Sequence, residues 1–296
     1  MTLPGVKPLI LNLPTTKLRA RPGKKGWPAQ GWTAEGNGLR VVALGDSVTY
    51  GVGDEFEHDA DSGWASYVAY AVGASYYLNV ARMGARARTI TQEQIATAVA
   101  AKPDVALVLV GGNDVLRGDF RHKEVRDHVT ATIRALQEVG ATVLLLRLHD
   151  PRRTLPFHRV IRETMGRRID RANRALDAAA AATSCVFVNL TDDENMYDAR
   201  AWHVDRMHVG PNGHRYVAGV ALDALSPSGY ARQREIPPPE LAPPDKHEQL
   251  MWLIKRGTPW LLRRSIDLIP ALLIIICYES ARARWESWRR TRVAAK

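Results

Sequence analysis

Residues 41–51 read Val-Val-Ala-Leu-Gly-Asp-Ser-Val-Thr-Tyr-Gly, and the organisation of the remaining chain follows from this stretch. The apolar run 41–44 is rich in branched side chains and too short for a typical helix, which indicates a strand buried on both faces. Gly45 ends the run, because glycine adopts backbone conformations that other residues resist. Ser47 therefore lies just past the carboxyl end of a strand, the edge at which open α/β sheets bind ligands.

A serine at this edge is a candidate nucleophile. Such a serine needs a general base, an acid that orients the base, and hydrogen-bond donors for the developing oxyanion. The rest of the sequence can therefore be searched for these three components.

The composition is that of an ordinary globular enzyme or binding domain. The 296 residues suffice for a large core, and 46% hydrophobic with 24% charged residues is typical of soluble proteins. The two cysteines, Cys185 and Cys277, are too few for a disulfide framework. Residues 1–38 contain no uninterrupted apolar run of the kind found in a secretory signal peptide. We therefore expect a cytoplasmic protein.

The excess positive charge lies at the two ends of the chain. Of a formal net charge of +10, residues 1–37 contribute +5 and residues 227–296 contribute +6. Basic ends attract nucleic acid, anionic lipid or an acidic partner, or only aid solubility. The middle of the chain requires none of these partners, and no nucleic-acid partner is expected.

Apolar runs alternate with segments of helical periodicity through the middle of the chain. Strands are predicted at 39–44, 75–80, 104–110, 142–148 and 185–190. Helices are predicted at 63–72, 89–101, 122–138, 160–182 and 211–225. This alternation implies βαβ units with right-handed crossovers and helices on both faces of the sheet. The sequence therefore predicts a three-layer α/β/α fold with a five-stranded, parallel, flavodoxin-like sheet, plus a helical C-terminal extension.

Prolines mark segments on both sides of this domain, which is placed at 38–226. Residues 1–37 contain five prolines with basic residues between them, which predicts an extended N-terminal arm on the domain surface. Trp27 and Trp32 are candidates for holding its last part. Residues 227–247 contain six prolines and are predicted to form a linker with polyproline character.

Residues 248–296 are predicted to form a basic helical extension. The apolar stretch 266–278 is shorter than the roughly 20 residues that a helix needs to span a bilayer. Tryptophan and arginine residues flank it, as they flank helices that lie at a membrane interface. Two roles stay open: packing on the domain or on a second copy of the chain, and peripheral contact with a membrane.

Three later segments occupy positions equivalent to that of Ser47, at strand ends or before a helix. Gly84 follows the second strand, Gly111-Gly112-Asn113-Asp114 follows the third, and 205–208 precedes the last helix. Because the carboxyl ends of parallel strands meet at one edge of the sheet, these segments should converge on Ser47.

In this order the four segments resemble the SGNH (GDSL-type) hydrolase family. The motifs are Gly45-Asp46-Ser47, Gly84, Gly111-Xaa-Asn113-Asp114 and Asp205-Xaa-Xaa-His208, and Val48 stands where the family name has leucine. The resemblance covers residues 39–225, about two thirds of the chain. It implies a serine esterase that needs no metal or other cofactor and acts on a small-molecule or lipid ester, acetylated esters included.

The resemblance also implies a role for each residue of the motifs. Ser47 would be the nucleophile, His208 the general base, and Asp205 the acid that orients the imidazole. The backbone N–H groups of Ser47 and Gly84 and the side-chain amide of Asn113 would form the oxyanion hole. A side chain at position 84 would obstruct the incoming carbonyl group.

Four further polar residues near the motifs are candidates for binding substrate: Asp46, Arg82, Asp114 and His149. Arg82, with Arg86 and Arg88, would either bind an anionic part of the substrate or be solvated. The acidic segment 54–61 is predicted to be a solvated loop that disfavours anionic substrates. Because these two clusters act in opposite directions, the sequence does not assign the charge of the substrate.

The sequence also allows other interpretations of these residues. Ser47 could cap a helix, and His203, Asp205 and His208 could bind a metal ion instead of forming a triad. For the whole protein, the alternative to an enzyme is a non-catalytic adaptor whose basic arm and apolar tail bind a partner or a membrane surface.

Overall fold

A seven-stranded sheet forms the centre of the protein, in the strand order β1-β2-β4-β3-β5-β6-β7. This computed structural model describes residues 16–17, 30–34, 37–54, 63–154 and 158–239, and the isolated positions 251, 277, 281, 285 and 288. The strands are β1 (Thr16–Lys17), β2 (Gln30–Thr33), β3 (Arg40–Gly45), β4 (Tyr76–Asn79), β5 (Val105–Leu109), β6 (Thr142–Leu146) and β7 (Val186–Val188).

Five of these strands, β3 to β7, pair with one another in parallel. They match the five predicted strands to within two residues at each end. Numbered along the chain, they lie in the order 2-1-3-4-5, which is the flavodoxin-like order. The central strands β3 and β5 are buried on both faces, as their continuous apolar runs predict. The predicted fold class is therefore confirmed.

The sheet also has two antiparallel strands that the sequence did not predict. They come from the proline-rich arm, and β2 pairs with β4 from Gln30 opposite Asn79 to Thr33 opposite Tyr76. Trp32 is only 1% exposed, and its ring lies 5.7 Å from the ring of Tyr77. Strand β2 therefore covers the edge of the parallel sheet at β4, with Trp32 buried as expected. Trp27 lies outside the described residues.

Helices cover both faces of the sheet. They are α1 (Ser47–Tyr50), α2 (Trp64–Ala71), α3 (Ala87–Thr89), α4 (Ile95–Ala100), α5 (Gly112–Val115), α6 (His122–Glu138), α7 (Pro151–Thr154), α8 (Arg159–Thr183) and α9 (Pro211–Leu225). A single π-helical turn, Ile90–Gln94, joins α3 to α4, so the helix predicted at 89–101 is divided. One layer contains α2 and α9, and the other contains α4, α6 and α8.

The first part of the predicted linker is hydrogen-bonded to the domain. The backbone N–H groups of Gln233 and Arg234 donate to the carbonyl oxygen of Ala71 at 2.7 and 3.0 Å. The guanidinium group of Arg215 donates to the carbonyl oxygen of Pro237 at 2.7 Å. These bonds fix the chain against α2 and α9 for about ten residues past the last helix.

The apolar stretch 266–278 lies outside the described residues, apart from Cys277. The five isolated positions beyond residue 239 are all helical. Within the part of the chain that the structure describes, no helix is both long enough and apolar enough to cross a membrane.

Candidate active site

The candidate nucleophile, Ser47, lies at the sharp turn between β3 and α1. Gly45 has φ +152°, and a Cβ atom there would lie 2.3 Å from the carbonyl oxygen of Leu109. Asp46 caps α1, since its carboxylate accepts a hydrogen bond from the N–H group of Val48 at 3.1 Å. Ser47 is the first residue of α1, so the Gly-Asp-Ser sequence itself places the hydroxyl at the sheet edge.

A buried glutamine fixes the same turn from the next layer. The side-chain oxygen of Gln94 accepts from the N–H group of Gly45 at 2.9 Å, and its amide group donates to the Gly45 carbonyl at 2.8 Å. Gln94 ends the π-helical turn and is fully buried. Insertions of this kind in helices are frequent at functional sites. No sequence pattern indicates the role of Gln94, because its partner lies 49 residues away in the chain.

Ser47, His208 and Asp205 form a continuous chain of hydrogen bonds. The Ser47 Oγ atom lies 2.9 Å from His208 Nε2, and His208 Nδ1 lies 2.7 Å from Asp205 Oδ2. Since an ionised carboxylate only accepts hydrogen bonds, Nδ1 carries the proton and Nε2 is left free to accept from the serine hydroxyl. This is the geometry that a general base needs.

The Asp205 carboxylate is held ionised by its neighbours. Burial by itself raises the pKa of this carboxyl, but hydrogen bonds from His203 and His208 outweigh it and hold the pKa well below its usual range. The other oxygen, Oδ1, accepts the backbone N–H groups of Met207 and His208 at 2.9 and 3.0 Å. The short Asp-Xaa-Xaa-His spacing therefore places both side chains on one turn and also fixes the carboxylate.

His203 belongs to this hydrogen-bonded group. Its Nδ1 atom lies 3.4 Å from Asp205 Oδ2, and its side chain is 8% exposed. Among the residues that the structure describes, no group of three or more His, Cys, Asp or Glu side chains could hold a metal ion. The contacts of His203, Asp205 and His208 are those of a hydrogen-bond network.

The loop with Gly84 and the start of α5 lie next to each other. Gly84 has φ +74°, and a Cβ atom there would have no atom within 4 Å, so the space beside it is open. The side-chain amide of Asn113 donates to the carbonyl oxygen of Ala85 at 3.1 Å. An amide carries two N–H donors, so a second one remains for another acceptor.

A cavity of about 170 Å³ adjoins Ser47 and His208. Its polar lining side chains are those of Asp46, Ser47, Asn113, Arg147, His149 and His208, and the remaining lining residues are almost all apolar. The lining residues come from β5 and β6, from the segments after β6 and β7, and from α1, α5, α7, α8 and α9. The cavity therefore extends from Ser47 across the carboxyl ends of the strands.

Two of the predicted substrate-binding residues, Asp46 and His149, line this cavity. Burial raises the pKa of Asp46 to about 6, although the Val48 N–H group and His208 favour its ionised form. Burial lowers the pKa of His149 to about 4, so its imidazole is neutral at neutral pH. The His149 ring packs on Trp202 with 4.5 Å between ring centroids. Trp202 was not predicted, since no motif includes it.

Arg82 and Asp114 do not line the cavity. Asp114 is buried and accepts the backbone N–H group of Ala87 at 2.9 Å and the guanidinium group of Arg86 at 3.4 Å. Arg82 forms an ion pair with Glu93. Both side chains are therefore engaged in holding the segment around Gly84, and Asp114 does so despite a pKa that burial raises.

Two buried polar residues near the site stabilise the fold. The ring of His214 accepts the N–H group of Trp64 at 3.1 Å and contacts the Val52 carbonyl oxygen at 3.0 Å. Asp54, predicted to be solvated, is fully buried and accepts the Tyr67 hydroxyl at 2.6 Å. It pairs with Arg215, because a buried carboxylate needs compensating donors. The acidic residues that follow Asp54 lie outside the described part of the chain.

Comparisons with known proteins identify the family and the fold. The model of the GDSL-like lipase/acylhydrolase family matches residues 43–216. The acetylxylan esterase Axe2 from Geobacillus stearothermophilus superposes with a TM-score of 0.52 at 20% identity, over 67% of this chain and 99% of that one. TesA superposes with a TM-score of 0.52 at 20% identity, over 64% of this chain and 99% of that chain.

A putative GDSL-like lipase from Parabacteroides merdae superposes with a TM-score of 0.51 at 17% identity, over 64% and 97% of the two chains. At these low identities, the superpositions show a shared fold. No curated protein has a significant match to the sequence. Because the family model spans more than half of the sequence, the chain belongs to the GDSL-like lipase/acylhydrolase family and is a serine hydrolase of carboxylic esters.

Proposed function

We propose that Ser47, His208 and Asp205 are the catalytic triad of this esterase and that it works through an acyl-enzyme intermediate. The observation that supports the proposal is the hydrogen-bond chain of 2.9 Å and 2.7 Å that joins the three side chains. The apolar cavity beside the serine hydroxyl provides a place for the acyl group of the substrate.

In the first half of the reaction, Ser47 Oγ attacks the carbonyl carbon of the ester while His208 Nε2 takes the hydroxyl proton. The resulting imidazolium is stabilised by the Asp205 carboxylate, which stays ionised throughout. The tetrahedral intermediate then expels the alcohol, which takes the proton from His208. In the second half, water attacks the acyl-enzyme by the same route and releases the carboxylic acid.

The negative charge on the carbonyl oxygen needs donors that are in place before the reaction. We assign this role to the backbone N–H groups of Ser47 and Gly84 and to the free amide N–H of Asn113. The Asn113 side chain is already oriented by its bond to the Ala85 carbonyl oxygen, so little reorganisation is required. Removing one such donor lowers kcat by about 10²–10³-fold in a comparable serine hydrolase.

Hydrolysis of p-nitrophenyl acetate, butyrate and octanoate by the full chain tests the triad. We expect turnover by the native sequence, and a fall in kcat of at least about 10⁴-fold in Ser47→Ala, because the nucleophile is lost. Addition of EDTA should leave the native rate unchanged. Full turnover by Ser47→Ala, or its loss in EDTA, would contradict the assignment. Circular dichroism of both proteins controls for folding.

A further inference from the structure

We propose that the cavity beside Ser47 is an acyl-binding pocket for a neutral, unbranched chain of about six carbons, and that Met165 and Ile169 on α8 limit its size. This inference rests on the proposed function, because it concerns the acyl group that Ser47 would accept. It goes further by naming the chain length that the enzyme prefers.

The volume of the cavity supports this length. The cavity measures about 170 Å³, and a dry apolar cavity of about 150 Å³ is known to hold benzene, a six-carbon molecule. An acetyl group has a single carbon beyond the carbonyl and would leave most of this space unfilled. Carbon atoms well beyond six exceed this volume, so they would either displace packed side chains, which is unfavourable in a dense interior, or extend through the open side of the cavity into solvent, where they gain no burial.

The lining of the cavity supports an uncharged chain. Met165 and Ile169 lie one turn apart on α8 and are 5% and 6% exposed. Their side chains face the cavity together with apolar side chains of the sheet. The neutral imidazole of His149 provides no positive charge that could bind a carboxylate or phosphate on the acyl chain.

The one guanidinium group that lines the cavity, within the described residues, has partners outside it. Arg147 lies 3.0 Å from Asp177 and donates to the Thr191 hydroxyl at 3.2 Å. Its charge is therefore compensated on the surface side of the sheet. This arrangement favours an uncharged acyl group over an anionic one.

The wall of the cavity at α7 is held at a fixed distance from α8. Pro151 lines the cavity, and the next residue, Arg152, pairs with Asp150 at 2.8 Å and with Asp170 on α8 at 2.9 Å. Gly166 leaves room for this guanidinium group, because a Cβ atom there would lie 2.5 Å from Arg152 Cδ. A wall fixed by two ion pairs can discriminate chain length better than a mobile loop.

A series of p-nitrophenyl esters with two, four, six, eight and ten acyl carbons tests the proposal. Each buried methylene group contributes about fourfold to kcat/KM, so hexanoate, with four more methylene groups, should exceed acetate by about 250-fold. The value of kcat/KM should fall again at decanoate. Acetate as the best substrate, or a flat profile, would overturn the proposal.

Substitutions on α8 should move this optimum in opposite directions. Met165→Ala enlarges the cavity and should favour octanoate and decanoate, whereas Ile169→Phe fills it and should favour acetate and butyrate. Val160→Ala is the matched control, because Val160 lies on the same helix with 45% of its side chain exposed. It should leave the profile unchanged. Equal changes for all esters in both variants would contradict the assignment.

Inhibition measurements and the Ser47→Ala variant distinguish failure of the acyl pocket from failure of the triad. Inhibition by hexanoate and acetate, measured with the native sequence, reports on the cavity even if a variant does not fold, and hexanoate should inhibit at a much lower concentration. Similar inhibition constants would count against the pocket. If Ser47 is required for turnover but acetate is preferred, the acyl pocket is wrong and the triad stands. If Ser47→Ala is fully active, the triad itself is wrong.

Discussion

At the scale of single residues, the four motif segments contain the proposed catalytic residues but not all the side chains that hold them in place. Ser47, Asp205 and His208 could be singled out because they lie in short motifs, one just after a strand and one just before a helix, whose order along the chain resembles that of a known hydrolase family. Gln94 and Trp202 could not, because their roles depend on side-chain contacts across long separations in sequence. Two of the four predicted binding residues, Arg82 and Asp114, bond to neighbouring side chains or backbone, which no pattern reveals.

Gln94 provides the prediction that belongs to this scale. Gln94→Ala leaves the buried N–H group of Gly45 without its side-chain acceptor and removes one of two donors to the Gly45 carbonyl oxygen, which still accepts from the Arg82 N–H group at 3.1 Å. An unsatisfied buried group costs about 1–3 kcal/mol. We expect the free energy of unfolding to fall by about this amount. We also expect kcat to fall, because the turn that positions Ser47 loosens.

Urea unfolding and ester kinetics measure the two effects of Gln94→Ala. Gln92→Ala is the control, since Gln92 lies exposed on the same π-helical turn. Equal behaviour of the two variants would show that Gln94 has no positioning role.

At the scale of elements, the strands that can be predicted from the sequence are the ones buried within the sheet. The five parallel strands are covered on both faces, so they form continuous apolar runs that are easy to identify. The antiparallel strand β2 consists of Gln-Gly-Trp-Thr, which has neither such a run nor an alternating pattern. Its place is decided by pairing with β4, about 45 residues later in the chain, and only Trp32 indicates it in the sequence.

A substitution in β2 measures the contribution of this edge to stability. Trp32 is almost fully buried and packs on Tyr77, so Trp32→Ala should lower the free energy of unfolding by about 3–5 kcal/mol. Because β2 pairs with β4 and contributes no residue to the cavity lining, kcat at low temperature should stay close to the native value. Trp288→Ala is the control, since Trp288 is 50% exposed. An unchanged unfolding midpoint in urea for Trp32→Ala would refute this role of β2.

At the scale of the whole molecule, we expect the hydrolase domain and the basic C-terminal extension to have separable physical roles. Every residue that lines the cavity lies between Asp46 and Val217, and the segment up to Pro237 is bonded to the domain. Residues 227–296 carry +6 of the net charge, and charge of this kind attracts anionic lipid within about 10 Å of a surface at moderate salt. We propose that residues 248–296 bind peripherally to membranes that contain anionic lipid and are not needed for catalysis.

Deletion of residues 248–296 tests this separation of roles. The shortened chain should hydrolyse p-nitrophenyl butyrate with an unchanged kcat, because no lining residue is removed. The full chain should sediment with vesicles that contain anionic lipid, and salt should release it, since screening weakens the attraction between basic residues and the lipid surface. The shortened chain should stay in the supernatant.

If instead neither chain binds the vesicles and only the full chain is dimeric by light scattering, the extension is a self-association segment. Loss of kcat on deletion would mean that the extension packs on the domain and supports the active site.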